Sequence, residues 1–173
     1  MTLANEVASC IRVVEDFPHK GISFKDFSGV FQNPEVSEKV IAYFADQARG
    51  KVDAVCGIES RGFILGLPIA LALKIPFIMI RKKGKLPPPT VEASYELEYG
   101  AATLEMVDGQ LEKGARVLIH DDVLATGGTA AACAELVTKV GAIPAQFNFL
   151  IELDFLKGRE KIGNTEIVTI LKY

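Results

Sequence analysis

Apolar residues recur along this chain in two periods, and the switches between them mark out alternating helices and strands. Leu3, Val7, Ile11 and Val14 fall at helical spacing, which predicts an amphipathic helix over residues 4–15. Val36, Val40, Ile41 and Phe44 repeat the pattern behind Asn33-Pro34, a capping residue followed by a first-turn proline. Short, continuous apolar runs occupy residues 54–58, 76–80 and 117–119, with two more near 146–153 and 167–171. Such runs read as buried strands, and those apolar on both faces suit a sheet covered from both sides. Residues 90–107 alternate instead, which predicts an extended arm folded into two strands. A helix starts at Phe63, and a second, Ala-rich one covers residues 130–137 and stops near Gly141. Strand, polar turn, helix is the repeating unit, and it places the chain in the α/β class.

The polar junctions carry the chemistry. Residues 117–119 end at Asp121-Asp122, and Ala125-Thr126-Gly127-Gly128-Thr129 then turns directly into the Ala-rich helix. A turn of small residues lets successive backbone N–H groups converge on one anion, and the helix start behind it adds unpaired donors. Thr126 and Thr129 offer hydroxyls. Two carboxylates beside a phosphate cradle would repel phosphate, so they suit another part of the ligand. A sugar diol fits, since ionised carboxylates only accept and a diol has two donors. The implied ligand is a ribose 5-phosphate. Neither a G-x-x-x-x-G-K-[ST] loop nor a G-x-G-x-x-G fingerprint is present. A plain tight turn with solvated aspartates is the alternative for Gly127-Gly128.

A second junction, Glu59-Ser60-Arg61-Gly62, repeats this logic after residues 54–58. Arg61 at a helix entrance presents a planar fork of donors to an anion, unless it simply pairs with Glu59 on the surface. After residues 76–80 comes Arg81-Lys82-Lys83-Gly84-Lys85-Leu86-Pro87-Pro88-Pro89. Charge runs are commonly just solvated. This one follows a strand end in an acidic chain, where a basic lid over a phosphorylated ligand fits better. Residues 16–27 hold Phe17, Phe24 and Phe27 in a Pro- and Gly-containing stretch, extended near residues 22–24. Phe17 and Phe27 are expected to pin it to the core.

Composition narrows the picture further. The 173 residues suit one domain of 1–173, with a net charge of −3 that gives no general nucleic-acid surface. Phe63 to Leu73 is the most apolar stretch, too short to span a bilayer, so no membrane role is expected. No signal-peptide pattern is visible. Cys10, Cys56 and Cys133 are odd in number and lie in apolar contexts, which suggests buried thiols in a reducing cytoplasm.

Asp121-Asp122-Val123-Leu124-Ala125-Thr126-Gly127-Gly128-Thr129 resembles the signature with which phosphoribosyltransferases bind phosphoribosyl pyrophosphate. Phe17-Pro18, Gly21-Ile22 and Phe24-Lys25-Asp26 are similar to the base-binding segment of the adenine phosphoribosyltransferase family. Leu97-Glu98-Tyr99-Gly100 is also found there. Lys20 stands where that family usually has proline, and Pro88 where it commonly has glycine. The resemblance covers nearly the whole chain from Asp16 onward.

It implies a doubly wound, mainly parallel five-stranded sheet with helices on both faces. A small N-terminal hood (about 1–33) and a flexible lid near 81–100 complete the core of about 34–173. It implies that adenine lies on Ser23, Phe24 and Lys25, with Ser23 offering main-chain groups and Phe24 stacking. Asp121, Asp122 and Ala125 to Thr129 would hold phosphoribosyl pyrophosphate, with Ser60, Arg61, Arg81 and Lys85 about the pyrophosphate. Glu98 would face the base as the catalytic carboxylate. Mg²⁺ would ride mainly on the substrate, with no dedicated protein ligands. A homodimer is implied too, with Arg81 crossing to the neighbour's site. Two rivals stand beside this reading: a phosphoribosyltransferase for hypoxanthine, guanine or xanthine, and a non-catalytic phosphoribosyl pyrophosphate-binding regulator. The segment Lys157-Gly158-Arg159-Glu160-Lys161 shares the resemblance but suggests no chemistry.

Overall fold

A computed structural model describes residues 1–96 and 101–173. Helix α1 (Leu3–Ser9) opens the chain, followed by the antiparallel pair β1 (Arg12–Glu15) and β2 (Ser23–Asp26), and then by α2 (Ser28–Phe31) and α3 (Pro34–Ala48). The predicted helix over 4–15 therefore ends early. Ile11, Val13 and Val14 are β-branched, and Arg12 on the ribbon bonds Asp26 across it (Nη2–Oδ2 2.9 Å), so pairing with β2 overrides the helical spacing. In α3, Asn33 Oδ1 accepts the Val36 N–H at 3.3 Å and Pro34 holds the first turn, as the sequence predicts.

The core follows in order: β3 (Ala54–Ile58), α4 (Gly62–Leu73), β4 (Phe77–Lys82), β5 (Thr90–Glu96), β6 (Ala101–Val107), β7 (Arg116–Leu124), α5 (Gly128–Lys139), β8 (Ile143–Glu152), α6 (Arg159–Ile162) and β9 (Glu166–Lys172). The sheet order is β5-β6-β4-β3-β7-β8-β9. The five strands β4, β3, β7, β8 and β9 are mutually parallel, as expected. The arm of residues 90–107 adds β5 and β6 as an antiparallel hairpin on the β4 edge, making seven strands. The stretch expected as the lid is thus the end of β4, a basic turn and β5. Residues 97–100 lie outside the described residues.

One face of the sheet packs against α5 through Cys133, Leu136 and Val137. The other packs against α3 and α4 through Val40, Phe44, Leu65 and Ile69. Val7, Phe27 and Val30 of the hood are buried in that second cluster, so the hood sits on the α3/α4 face of the core. Phe27 behaves as expected, but Phe17 is half exposed and meets Phe24 edge-on at 5.2 Å instead of entering the core. Among the described residues no helix is long and apolar enough to cross a membrane.

Candidate active site

From β3 the chain winds outward to β4 on one side, and it returns through β7 on the other. The carboxyl ends of β3 and β7 therefore flank a topological switch point, where open α/β sheets form a crevice. Both polar junctions lie there. Glu59, Ser60 and Arg61 leave β3, while Asp121 and Asp122 sit near the end of β7.

The β7–α5 turn is built by glycine. Gly127 caps α5 with a left-handed φ of +79°, open to glycine at little cost. A Cβ there would also run into the Gly158 carbonyl. Ala125, Thr126, Gly127, Gly128 and Thr129 line a small cavity of about 70 Å³ at this turn. Asp121, Val123, Ala125 and Thr129 also line a larger neighbour of about 290 Å³. Ser23, Phe24 and Lys25 of β2 close that larger cavity from the hood, and Arg61 lies on its rim. Its apolar wall comes from Ile22 and Val123, which lie within the two segments that carry the resemblance, and from Ile151 and Leu153, which the sequence gives no reason to place there. A small cavity at the turn thus shares a wall with a larger, partly apolar chamber, with Asp121 lining both and Asp122 the larger.

The acidic pair is held closely. Asp121 Oδ1 accepts the Asp122 N–H at 2.9 Å. Burial, then the adjacent Asp122 charge, pushes the Asp121 carboxyl well above the usual carboxylate range. Arg61 Nε lies 3.0 Å from Asp122 Oδ2, yet among the described residues that oxygen has no aligned hydrogen-bond donor. The contact is therefore mainly Coulombic. The Arg61 guanidinium also lies 5.4 Å over the Phe27 ring, which ties the hood to the β3–α4 turn. A Cβ on Gly62 would approach the His120 carbonyl at 2.7 Å, so only glycine lets α4 start this close to β7.

Arg61 does not pair with Glu59. Glu59 bonds Arg81 at the end of β4 (Nε–Oε2 3.1 Å) and accepts the Lys82 N–H at 3.0 Å. Arg81 also donates to the Lys85 carbonyl. Ser60 is exposed on its turn, and Lys85 is exposed beyond β4. Neither they nor Arg81 line the two cavities. The basic turn is anchored by buried Glu105, which accepts the Lys85 and Leu86 N–H groups at 2.7 and 2.8 Å. Lys25 Nζ donates to Ser23 Oγ at 3.0 Å and lies 5.0 Å over the Tyr173 ring. Glu98 lies outside the described residues. Gly158 is the neighbour that sequence reasoning left without a role.

An acceptor-rich acidic pair beside a small glycine-built turn, at the switch point of a doubly wound sheet, marks an α/β protein with a crevice whose chemistry suits a sugar phosphate. The comparisons with known proteins carry this one step further. The chain belongs to the phosphoribosyl transferase domain family, whose pattern matches residues 27–162. The adenine phosphoribosyltransferase of Christiangramia forsetii is 45% identical over 97% of this chain and 99% of its own. That of Mycoplasma mobile is 48% identical over 98% of each. Among solved structures, adenine phosphoribosyltransferase from Saccharomyces cerevisiae, complexed with an imino-altritol bisphosphate and adenine, superposes with a TM-score of 0.93. It is 41% identical and each chain is 98% covered. The Thermoanaerobacter pseudethanolicus enzyme gives a TM-score of 0.94 at 42% identity, with 99% of this chain and 100% of that one covered.

Proposed function

We propose that this chain transfers the phosphoribosyl group of 5-phosphoribosyl 1-pyrophosphate to adenine, giving AMP and pyrophosphate in purine salvage. The observation that carries the reading is the meeting of three features at one crevice: the acidic pair, the left-handed glycine turn and the Phe24 wall. The near full-length likeness to enzymes named for this activity supports it.

In this reading the whole chain is one catalytic domain. The 125–129 turn takes the 5-phosphate, and Asp121 and Asp122 accept the ribose hydroxyls. Ser60 and Arg61 meet the pyrophosphate, joined by Arg81 and Lys85 from the lid. Adenine lies against Phe24, with Lys25 beside it. Alternate residues of a two-stranded ribbon turn their main-chain groups away from the partner strand, which leaves β2 able to read a base edge. As the C1–O bond to pyrophosphate breaks with its electron pair, adenine N9 supplies the pair for the new C1–N9 bond. The proton leaving the base has Glu98 as its acceptor. The protein aligns the two partners and stabilises the departing charge.

The donor set suits a substrate-borne Mg²⁺. Asp122 Oδ2 is buried without an aligned donor, and Asp121 is destabilised as a charged group, so both gain from a ligand bringing hydroxyls or a hydrated cation. When bound, the ion neutralises charge on the leaving pyrophosphate. Half-exposed Ile64, Leu67 and Met79, with the more open Leu71, leave an apolar patch on α4 and β4 that supports a homodimer. The free thiols Cys10, Cys56 and Cys133 support a reducing cytoplasmic setting.

The test is a steady-state assay of each free purine with phosphoribosyl pyrophosphate and Mg²⁺. Adenine should give by far the highest kcat/KM. Preference for another purine would overturn the base assignment. Tight binding of phosphoribosyl pyrophosphate with no turnover of any base would point to the regulator instead.

A further inference from the structure

Residues 157–161 play no part in the proposed chemistry, yet they touch its centre. Gly158 packs directly on the 125–127 turn. A Cβ on Gly158 would run into the Ala125 carbonyl and lie 3.1 Å from Gly127 N, while one on Gly127 would run into the Gly158 carbonyl. Two glycines thus face each other, each leaving room for the other's backbone. Lys157, just before, holds a left-handed φ of +53°, which an L side chain adopts only at a cost.

Next to Gly158, Arg159 begins α6 and reaches Glu152 at the end of β8. Both Nε and Nη2 bond the carboxylate, the latter to Oε2 at 2.7 Å. Thr169 Oγ1 donates to Oε2 at 3.2 Å, and Lys172 Nζ lies 3.4 Å away. The Arg159 bonds come first among the causes that hold the Glu152 carboxyl below its ordinary range. Glu152 is 2% exposed and lies in register with Leu124, the last residue before the cradle. Desolvating Glu152 offsets much of its attraction to the part-exposed Arg159, so the main product of the pair is a fixed position, not net stability. A forked arginine fixes orientation in a way a lysine does not.

We propose that the Glu152–Arg159 pair is a clamp that seats Gly158 against the 125–127 turn, so that the phosphate cradle is shaped before its ligand arrives. Both are positioning residues that act through Gly158. The inference rests on the reading of that turn as the 5-phosphate site.

Isothermal titration of the full chain with AMP, and separately with pyrophosphate plus Mg²⁺, tests it. Failure of the wild type to bind AMP would sink the underlying functional reading, not this clamp alone. Given wild-type binding, Arg159→Ala should weaken AMP by about tenfold to a hundredfold while pyrophosphate stays within about twofold, because only the cradle is displaced. Unchanged AMP affinity, or an equal loss for pyrophosphate, overturns the clamp. The double variant Glu152→Gln/Arg159→Met leaves no orphan charge and should bind AMP as weakly as Arg159→Ala. Recovery of wild-type affinity in it would trace the defect to a stranded carboxylate and overturn the proposal. If Arg159→Ala does not fold, the double variant decides alone. Failure of both to fold would make the pair a stability element and also overturn it.

Discussion

His120 precedes the acidic pair and should make its own contribution to stability fall in acid. Its ring is fully buried, edge-on to Phe44 at 5.7 Å, with Nδ1 2.5 Å from Asn148 Oδ1. Among the described residues Nε2 has no partner. Burial lowers its pKa from 6.5 to about 4, against smaller opposing effects of Asn148 and the Asp122 charge. The folded value lies below the unfolded one, so the unfolded chain binds the extra proton in between. The stabilisation is therefore complete above about pH 6.5 and is lost as pH falls toward about 4. A shift of that size corresponds to about 3 kcal/mol. Asp121 works in the opposite direction: its raised pKa makes the folded chain the better proton binder, so its contribution grows as pH falls. The total stability curve mixes the two, and a difference measurement separates them. His120→Asn keeps a polar group facing Asn148 and cannot titrate. The cost of the smaller side chain is the same at every pH. Urea unfolding of wild type and His120→Asn should show a stability gap that shrinks by about 3 kcal/mol between about pH 7 and about pH 4. A gap constant across that range would refute the picture of a neutral, buried histidine beneath the site.

Asp122→Asn should weaken phosphoribosyl pyrophosphate binding by about tenfold to a hundredfold, the loss of charged acceptors for two hydroxyls. Its melting temperature should barely move, since half-exposed Arg61 can turn to solvent; titration calorimetry and a thermal melt check both. Glu98→Gln should lower kcat by about a hundredfold or more and leave the KM for adenine nearly unchanged. A pure KM effect would make Glu98 a base-binding group only. Ser23→Ala should keep the preference for adenine over hypoxanthine, because main-chain groups read the base, whereas Phe24→Ala should weaken all purines alike. A switch of preference in Ser23→Ala, read from kcat/KM, would defeat that assignment.

What was legible in the sequence is what is contiguous in the chain. The five buried runs became the five parallel strands because doubly covered strands must be apolar on both faces. The β7–α5 turn was legible because the groups assigned to phosphate are consecutive in the chain. Pairings across the chain were not. The helical spacing of Leu3, Val7, Ile11 and Val14 continues past Ser9, yet β1 forms there because β2 lies opposite. Gly158 carries no local mark of its place on the 125–127 turn; a glycine between charged residues reads as a surface bend.

The hardest case was Arg61. Adjacency suggested Glu59, but Glu59 is taken by Arg81, and this frees Arg61 to lean over Phe27 toward Asp122. That exchange has a consequence for binding. The group assigned to pyrophosphate and the group assigned to the ribose diol neutralise each other before substrate enters. The Arg61 side chain is 49% exposed and its contact with Asp122 lacks hydrogen-bond alignment, so Arg61 is readily rehydrated when they part, whereas buried Asp122 then needs a replacement partner. The ligand then supplies what each partner loses: anionic oxygens to Arg61, hydroxyl donors to Asp122. A pair of this kind limits the charge repulsion within the acidic site and reserves the buried Asp122 oxygen for a ligand that brings a donor in place of Arg61.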